Sequence, residues 1–456
     1  MMYLTELNWS FLEIIFLLII FIVGFLVTYI ILPYLIKIMK RKGFIGVDIH
    51  KNAKPEVAES GGLSIIIGFS VSSIFLIIFF PTFLKETLVF LLTVLLAGCI
   101  GYIDDRKKLR SRYKIVLSMF SGGIIFLSHF FGFITINSPY ILLLGQTQLT
   151  IVYPLLVPVI VAVFTNTVNM LEGYNGEGSG TCLIAVCFLF VCSLLGNSAE
   201  GVIFTIPVIA VIIPFFIYNK YPAKIFPGDT GTLSMGAMFA CIMLFGSLEV
   251  ATFCALLIHI FNSFYYLYSV RGFFESSDIH EGKDDIILLE NDQIKASDQK
   301  DAVLTLPRLI LAKGPLTEPE LVKNFYAISL ICGFFSILSI LLMQYNLGNF
   351  NIYFFIITLI VLLAPTIFIL FKFPRIRGII YLMIILLISI LLFLIFIENV
   401  IMPLPFENLD LGVIMIPINL LITFILMIPI LLLWYLATIK YFWREIRKMN
   451  KNEVLI

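Results

Sequence analysis

The chain has 456 residues, 60% of them hydrophobic and 13% charged, with a formal net charge of +1. A mean hydropathy of +1.06 excludes a soluble globule, and a near-neutral balance gives no ground for a nucleic-acid partner.

Apolar runs of about 20 residues recur along the chain, the length of a helix that crosses a bilayer. Short alternating segments of the kind that build membrane barrels are missing, so the spans are expected to be helices. Thirteen are predicted: 11–36, 63–81, 87–103, 115–137, 151–168, 181–196, 201–218, 231–248, 250–270, 324–345, 351–371, 379–399 and 411–438. The first lacks a basic flank before it and ends in Lys37, Lys40, Arg41 and Lys42, so it is expected to be a retained helix and not a leader. Alternate gaps (37–62, 104–114, 169–180, 219–230, 271–323, 372–378 and 439–456) collect 29 of the 30 Lys and Arg, leaving only Lys85 on the other side. By the positive-inside rule these gaps are cytoplasmic, with the N-terminus outside and the C-terminus inside. The fold class expected is an all-α polytopic integral membrane bundle of about 13 helices. Seven cysteines lie singly in or near apolar runs without metal-ligand spacing and read as small buried hydrophobes. His129 and His259, inside apolar runs, read as satisfied core residues.

Polarity gathers on the basic side. The segment 271–323 is the longest hydrophilic stretch and reads as a small cytoplasmic appendage, not a folded domain. Within it, 305–321 has strand-like and turn-like parts, and Thr317 with Glu320 spells a helix start. Three short gaps are unusually polar: GYIDDRKKLRSRYK (101–114), NTVNMLEGYNGEGSG (166–180) and NKYPAKIFPGDTGTLSMG (219–236). Asp104, Asp105, Asn169 and Asp229 supply hard oxygen ligands of the type Mg²⁺ takes together with substrate phosphates. Gly173, Gly176, Gly178, Gly228 and Gly231 allow backbone amides to approach a phosphate, and Lys108, Arg112 and Lys114 can neutralise its oxygens. Taken singly, an Asp-Asp pair before basic residues is also what a solvated helix end looks like, and Asn and Gly in a short gap are ordinary turn formers.

The joint order GxxDD–basic run, NxxNMxxGxNG, KxFxGDTGxxxxG and a large hydrophilic loop resembles the polyprenyl-phosphate N-acetylhexosamine-1-phosphate transferase superfamily. Here the segments are 101–114, 166–176 and 224–236, with KPEVAESGGL (54–63) as a fourth match, and the resemblance covers about residues 10–345. AESGG (58–62) and LPRLILAKGPL (306–316) are closer to the eukaryotic and archaeal branch, which transfers GlcNAc-1-phosphate to dolichyl phosphate. The resemblance implies a ten-helix catalytic core at 1–345 followed by additional C-terminal spans at 346–456. It implies a UDP-sugar and a polyprenyl or dolichyl phosphate as substrates and Mg²⁺, with Mn²⁺ as an alternative. It also implies an active site facing the cytoplasm, in the plasma membrane if the source is a prokaryote, and it allows a homodimer. By position, Asn169 and Asp229 would be metal ligands and Lys114 would hold the pyrophosphate. Asp104 and Asp105 would organise Lys114 and the acceptor phosphate. Gly173, Asn175 and Phe226 would lie at the uracil, with Glu59, Lys108 and Arg308 as further substrate-binding residues. The branch carries an Arg-His-Arg cluster before its LPRL-like stretch. Here that stretch is DAVLTLPR (301–308), leaving Arg271, His280, Lys300 and Arg308 as substitutes. The reading from a different class is a secondary transporter for an anionic solute, which expects polar residues near the midplane in broken helices.

Overall fold

The computed structural model describes residues 9–142, 145–146, 149, 151–270, 284–299, 302–344, 348, 350–404, 409–410, 415–416 and 418–453. Twelve helices there are long and apolar enough to cross a membrane, and a bent pair makes a thirteenth. In chain order the core helices are α1 (Phe11–Arg41), α2 (Gly62–Phe79), α3 (Leu84–Lys107), α4 (Ser111–Phe130), α5 (Val152–Leu171), α6 (Glu177–Leu195), α7 (Ala199–Asn219) and α8 (Gly228–Gly246). The bent pair is α9 (Glu249–Ala255) and α10 (Leu257–Val270), followed by a short α11 (Leu306–Leu311). Then come α12 (Glu318–Met343), α13 (Ile352–Lys372), α14 (Arg377–Phe396) and α15 (Ile418–Glu453).

Several helices begin or end with local reasons in the sequence. Ser10 and Glu13 form a capping box at the start of α1, and Thr317 and Glu320 form one at the start of α12. The left-handed Lys108 (φ 44°) ends α3 and donates its N–H to Asp104 O at 2.8 Å, which lets α4 begin three residues later. Several predicted boundaries were short by a turn. α3 continues through Asp104 and Asp105, α4 starts before Lys114, and α8 starts before Asp229. The charged motif residues therefore sit in the terminal turns of helices, where the rigid helix and not a loop fixes them.

α8 is the innermost helix, with 83% of its most apolar stretch buried, against 6% for α13. Glycines let α2 and α3 press onto its first turn. A Cβ on Gly62 would collide with the Gly231 backbone, and one on Gly101 with the Asp229 carbonyl. The predicted ninth span is not straight: it bends by 66° at Leu256. No Gly or Pro lies between Glu249 and Val270 to signal that break.

One antiparallel hairpin and one small antiparallel sheet sit at the motif end. β1 (Ile45–Val47) pairs with β2 (Glu56–Ala58) between α1 and α2. In the loop after α10, β3 (Ile286–Leu288), β4 (Gln293–Ala296) and β5 (Leu316–Thr317) form a three-stranded sheet. The described part of that loop, 284–299 and 302–317, is thus folded and not a loose appendage. Ile294, Ala296, Leu306, Leu309 and Ile310 join an apolar core with Phe261 and Tyr265 of α10 and Phe325 of α12. Residues 306–311 are helical where a strand was expected, because Thr305 accepts the Arg308 N–H as an N-cap and Pro307 occupies the first turn. The same core includes Ile379 and Met383 of α14 and Trp434 and Phe442 of α15, and α15 packs directly on α10 through Trp434 against Phe261 and Phe442 against Tyr265. Of the cysteines, Cys99 and Cys187 are exposed on helix exteriors and not buried as expected.

Candidate active site

Four helix ends converge on one ammonium group. Lys114 Nζ, in the first turn of α4, lies 2.8 Å from Asp104 Oδ2 at the end of α3 and 2.7 Å from Asp229 Oδ1 in the first turn of α8. It donates to Asn169 Oδ1, in the last turn of α5, at 3.3 Å. Asn169 Nδ2 in turn donates to Asp229 Oδ1 and, at 2.7 Å, to Thr232 Oγ1. Three hard oxygen donors from separate helices thus meet at one cation, a donor set that also fits a divalent metal. Asn169 and Asp229 would hold it, since both face the cavity and Asp104 does not line it.

Asp105 does something different from its neighbour. Its Oδ1 accepts the Asp229 N–H at 2.6 Å. Its Oδ2 accepts the Thr230 N–H at 3.3 Å, the Thr230 hydroxyl at 2.6 Å and the Ser60 hydroxyl at 3.0 Å. It therefore caps the N-terminus of α8 and fixes Asp229 through its backbone. The contacts of Asp105 run to α8 and Ser60, while Asp104 is the member of the pair that meets Lys114. Asp104 Oδ1 also accepts the Leu109 N–H at 2.6 Å, which locks the α3–α4 turn.

This cluster opens onto a cavity of 1320 Å³. One end is polar, lined by Lys114, Asn169, Gly173, Asn175, Phe226 and Asp229. The other runs between α4, α5 and the bent α9–α10 pair and is lined by Ile115, Met119, Val159, Val163, Phe253 and Ile260. Asn175 is held from the far side, donating Nδ2 to Asp48 Oδ2 at 2.9 Å and to Glu318 Oε2 at 3.1 Å.

Three expected substrate residues stand apart from the cavity lining. Arg308 is wholly buried and spends its guanidinium on four carbonyls, those of Ser297, Gln299, Ala302 and Val303, through five hydrogen bonds of 2.6–3.2 Å. It holds the loop ahead of α11, so the expectation that it binds substrate gives way to a structural role. Lys108 is exposed at the α3 terminus. Glu59 packs under Gly46, and burial together with the Asp105 charge pushes its carboxyl above the usual range. Of the stretch 301–308, Val303, Thr305 and Pro307 line the cavity. Arg271, His280 and Lys300 lie outside the described residues.

Sequence reasoning passed over several groups here. Among the described residues, Asp48, His50 and Glu318 bring ligand atoms within 4.8 Å of one another. Lys51 already serves that cluster as its cation, paired with Asp48 and 3.8 Å from Glu318. Burial lowers His50 to about 4, and its ring stacks on Tyr174 at 4.3 Å, so it is neutral at pH 7. Glu172 lines the cavity half-buried, and desolvation raises its carboxyl to about 8 despite a hydrogen bond from the Gly178 backbone. These residues sit in the motif or next to it, but only contacts reveal their partners.

The sequence profile of glycosyl transferase family 4 matches residues 87–247, from α3 through α8. A protein of Methanocaldococcus jannaschii that bears the name glycosyltransferase is 30% identical over 325 residues, covering 70% of this chain and 94% of that protein. The chain belongs to glycosyl transferase family 4. A Sulfolobus acidocaldarius family member named as a UDP-N-acetylglucosamine–dolichyl-phosphate N-acetylglucosaminephosphotransferase is 34% identical over 239 residues, 51% of this chain and 72% of that one. The phospho-N-acetylmuramoyl-pentapeptide-transferase of Staphylococcus carnosus is 31% identical over 250 residues, 50% of this chain and 76% of that enzyme. The family 4 segment contains all four residues of the Lys114 cluster.

Proposed function

We propose that this family 4 membrane protein transfers GlcNAc-1-phosphate, or a related N-acetylhexosamine-1-phosphate, from a UDP-sugar to a polyprenyl or dolichyl phosphate and releases UMP. The observation that carries this reading is the Lys114–Asp104–Asn169–Asp229 cluster at the junction of a polar and an apolar half of one cavity. A nucleotide sugar suits the polar half and an isoprenoid tail the apolar half. The names of the Sulfolobus and Staphylococcus relatives agree with a transfer of this type.

The nucleotide would lie against Gly173, Asn175 and Phe226. Lys114 would neutralise the diphosphate oxygens as charge develops on the leaving UMP. A phosphate oxygen of the acceptor attacks the sugar-linked phosphorus, a P–O bond forms, and the bond to the UMP oxygen breaks. A phosphate monoester has a second pKa of about 6, so the nucleophile is already largely dianionic and needs no strong base. Asp105 therefore acts by positioning α8, and rate comes from alignment and charge neutralisation. A divalent cation, Mg²⁺ by the hardness of its ligands, would be held by Asn169 and Asp229 and would supply further neutralisation of phosphate charge. The basic gaps support a cytoplasmic position for this end of the bundle, with the N-terminus outside, by the positive-inside rule.

The break at Leu256 is what a transporter reading anticipates, but the ion-paired acids Asp104 and Asp229 sit at the ends of α3 and α8 and not at that break. The deciding assay incubates purified protein with labelled UDP-GlcNAc, Mg²⁺ and dolichyl phosphate. Lipid-linked sugar and UMP are expected in equal amounts, with loss of both in Asp229→Asn. No product from the wild type with any UDP-N-acetylhexosamine sinks the reading. A burst of UMP without acceptor argues for a covalent intermediate instead of direct displacement.

A further inference from the structure

The C-terminal helices carry cations that lack carboxylate partners. α13 and α14 are both long and apolar enough to span, and only residues 373–376 separate them. A connection that short cannot leave the membrane surface. It holds Arg375, with Lys372 just before it and Arg377 just after. Lys313, two residues past α11, meets this turn head to tail. Its Nζ donates to Arg375 O at 2.9 Å and Pro374 O at 3.5 Å, and Arg375 Nη1 donates back to Gly314 O at 2.5 Å. Arg377 Nε donates to Leu370 O at 2.7 Å. Every one of these bonds ends on a carbonyl, which fixes a cation without neutralising it. Lys51 and Lys114, by contrast, are ion-paired with carboxylates. Among the described residues no carboxylate lies within ion-pair distance of Lys313, Arg375 or Arg377.

α15 brings more positive charge to the same place. Its 36 residues run about 54 Å against a hydrocarbon core of about 30 Å, so its last turns stand outside the apolar layer. There Arg444 and Lys448, both exposed, share Glu445 at 3.4 and 2.9 Å. Partial desolvation first, and then the Lys448, Arg375 and Arg377 charges, hold the Lys313 ammonium below its usual range against the pull of Glu445. Glu320, the acid that acts on Arg375, is engaged with Thr317 in the capping box of α12. Five cations from α11, the α13–α14 turn and α15 thus gather around two acids that already have partners. Like charges held this close repel one another, and an anion among them relieves the repulsion. Tyr441 and Trp443, half-buried beside Arg444, are the aromatic residues expected at a headgroup level.

We propose that Lys313, the α13–α14 turn and the end of α15 bind the phosphate headgroup of an anionic phospholipid, drawn from the leaflet on the active-site side. The lipid is favoured over a free anion by level, because the turn between two spans lies where headgroups lie. The adjoining α13 is only 6% buried, so its apolar surface is open to acyl chains. Arg377 keeps its terminal guanidinium nitrogens for phosphate oxygens, and Lys313 and Lys448 add point charges. The site gives a role to helices that lie beyond the family 4 segment. A headgroup there joins α15 and the α13–α14 turn to residues 313–315, which lead into β5 and Glu318, the acceptor of the Asn175 N–H at 2.7 Å. The inference stands apart from the transferase reading, since binding is measured without turnover.

The test reconstitutes the full chain in phosphatidylcholine vesicles with increasing fractions of acyl-brominated phosphatidylglycerol or acyl-brominated phosphatidylcholine, and follows quenching of tryptophan fluorescence. The tryptophans are Trp9, Trp434 and Trp443, and Trp443 is the one beside the cluster. Each basic residue near an anionic surface corresponds to about fivefold in binding. With several cations acting together, half-quenching is expected at a phosphatidylglycerol fraction about tenfold or more below that for phosphatidylcholine. Lys313→Gln and Arg377→Gln should each raise the phosphatidylglycerol midpoint about fivefold and leave the phosphatidylcholine midpoint in place. Trp443→Phe should remove the anion-selective part of the quenching. Should either glutamine variant fail to fold, Lys448→Gln, at an exposed position, carries the same comparison. Equal midpoints for the two lipids in the wild type overturn the proposal, as does an unchanged phosphatidylglycerol midpoint in the variants. Loss of the selectivity on adding inorganic phosphate would assign the cluster to a soluble anion and overturn the lipid.

Discussion

Replacing Asp105 by Asn separates a positioning role from a chemical one. The carboxylate accepts four hydrogen bonds, two of them from backbone N–H groups in the first turn of α8. An amide offers one oxygen in place of two and turns its NH₂ toward donors. At least one α8 N–H is then left unpaired, at about 1–3 kcal/mol. Loss of the anion at the helix N-terminus adds about 0.3–1 kcal/mol. The first turn must shift to relieve this, and Asp229 shifts with it because its own N–H is one of those held. Misplacement of a reacting group by about 1 Å costs roughly a hundredfold. We expect kcat to fall by about that factor in Asp105→Asn, with a lower melting temperature in detergent and an unchanged shape of the pH–rate profile. The assay follows UMP and lipid-linked sugar across pH 5.5–9. Wild-type kcat in the variant would refute the capping argument, and loss of one limb of the pH profile would point to proton transfer by Asp105.

Further outcomes follow from other contacts. Asn169→Ala and Asp229→Asn should each raise the Mg²⁺ concentration for half-maximal activity at least tenfold, as measured by titration after chelator treatment. Arg308→Met should cost about 3–5 kcal/mol of stability, since four carbonyls lose a buried charged partner, while any folded fraction keeps its KM for the UDP-sugar. A raised KM with unchanged melting would return Arg308 to substrate binding. Glu172 is raised to about 8 by desolvation, so the folded protein holds a proton that the unfolded chain releases near the ordinary glutamate value of 4.5. Its contribution to stability is complete below about 4.5 and is lost as pH rises through about 8. Glu172→Gln should flatten the melting temperature across that window, and an equal pH slope in both proteins would show that other groups set it.

Much of this protein could be read in one dimension because a membrane imposes one-dimensional rules. Each span had to be long, apolar and helical, so thirteen runs gave thirteen spans, counting the bent pair. The polar motifs stood out against that background, and Thr317 with Glu320 announced the start of α12 through a contact only three residues long. What tertiary structure alone decided are choices among groups distant in sequence. Asp104 and Asp105 are neighbours in the chain, yet helical rotation of about 100° per residue sends one to Lys114 and the other to α8. Arg308 resembles a ligand-binding cation until the carbonyls of 297–303 close around it. The bend at Leu256 has no Gly or Pro to mark it. Periodicity and local capping are properties of a segment, whereas hydrogen-bond partnership depends on which helices meet.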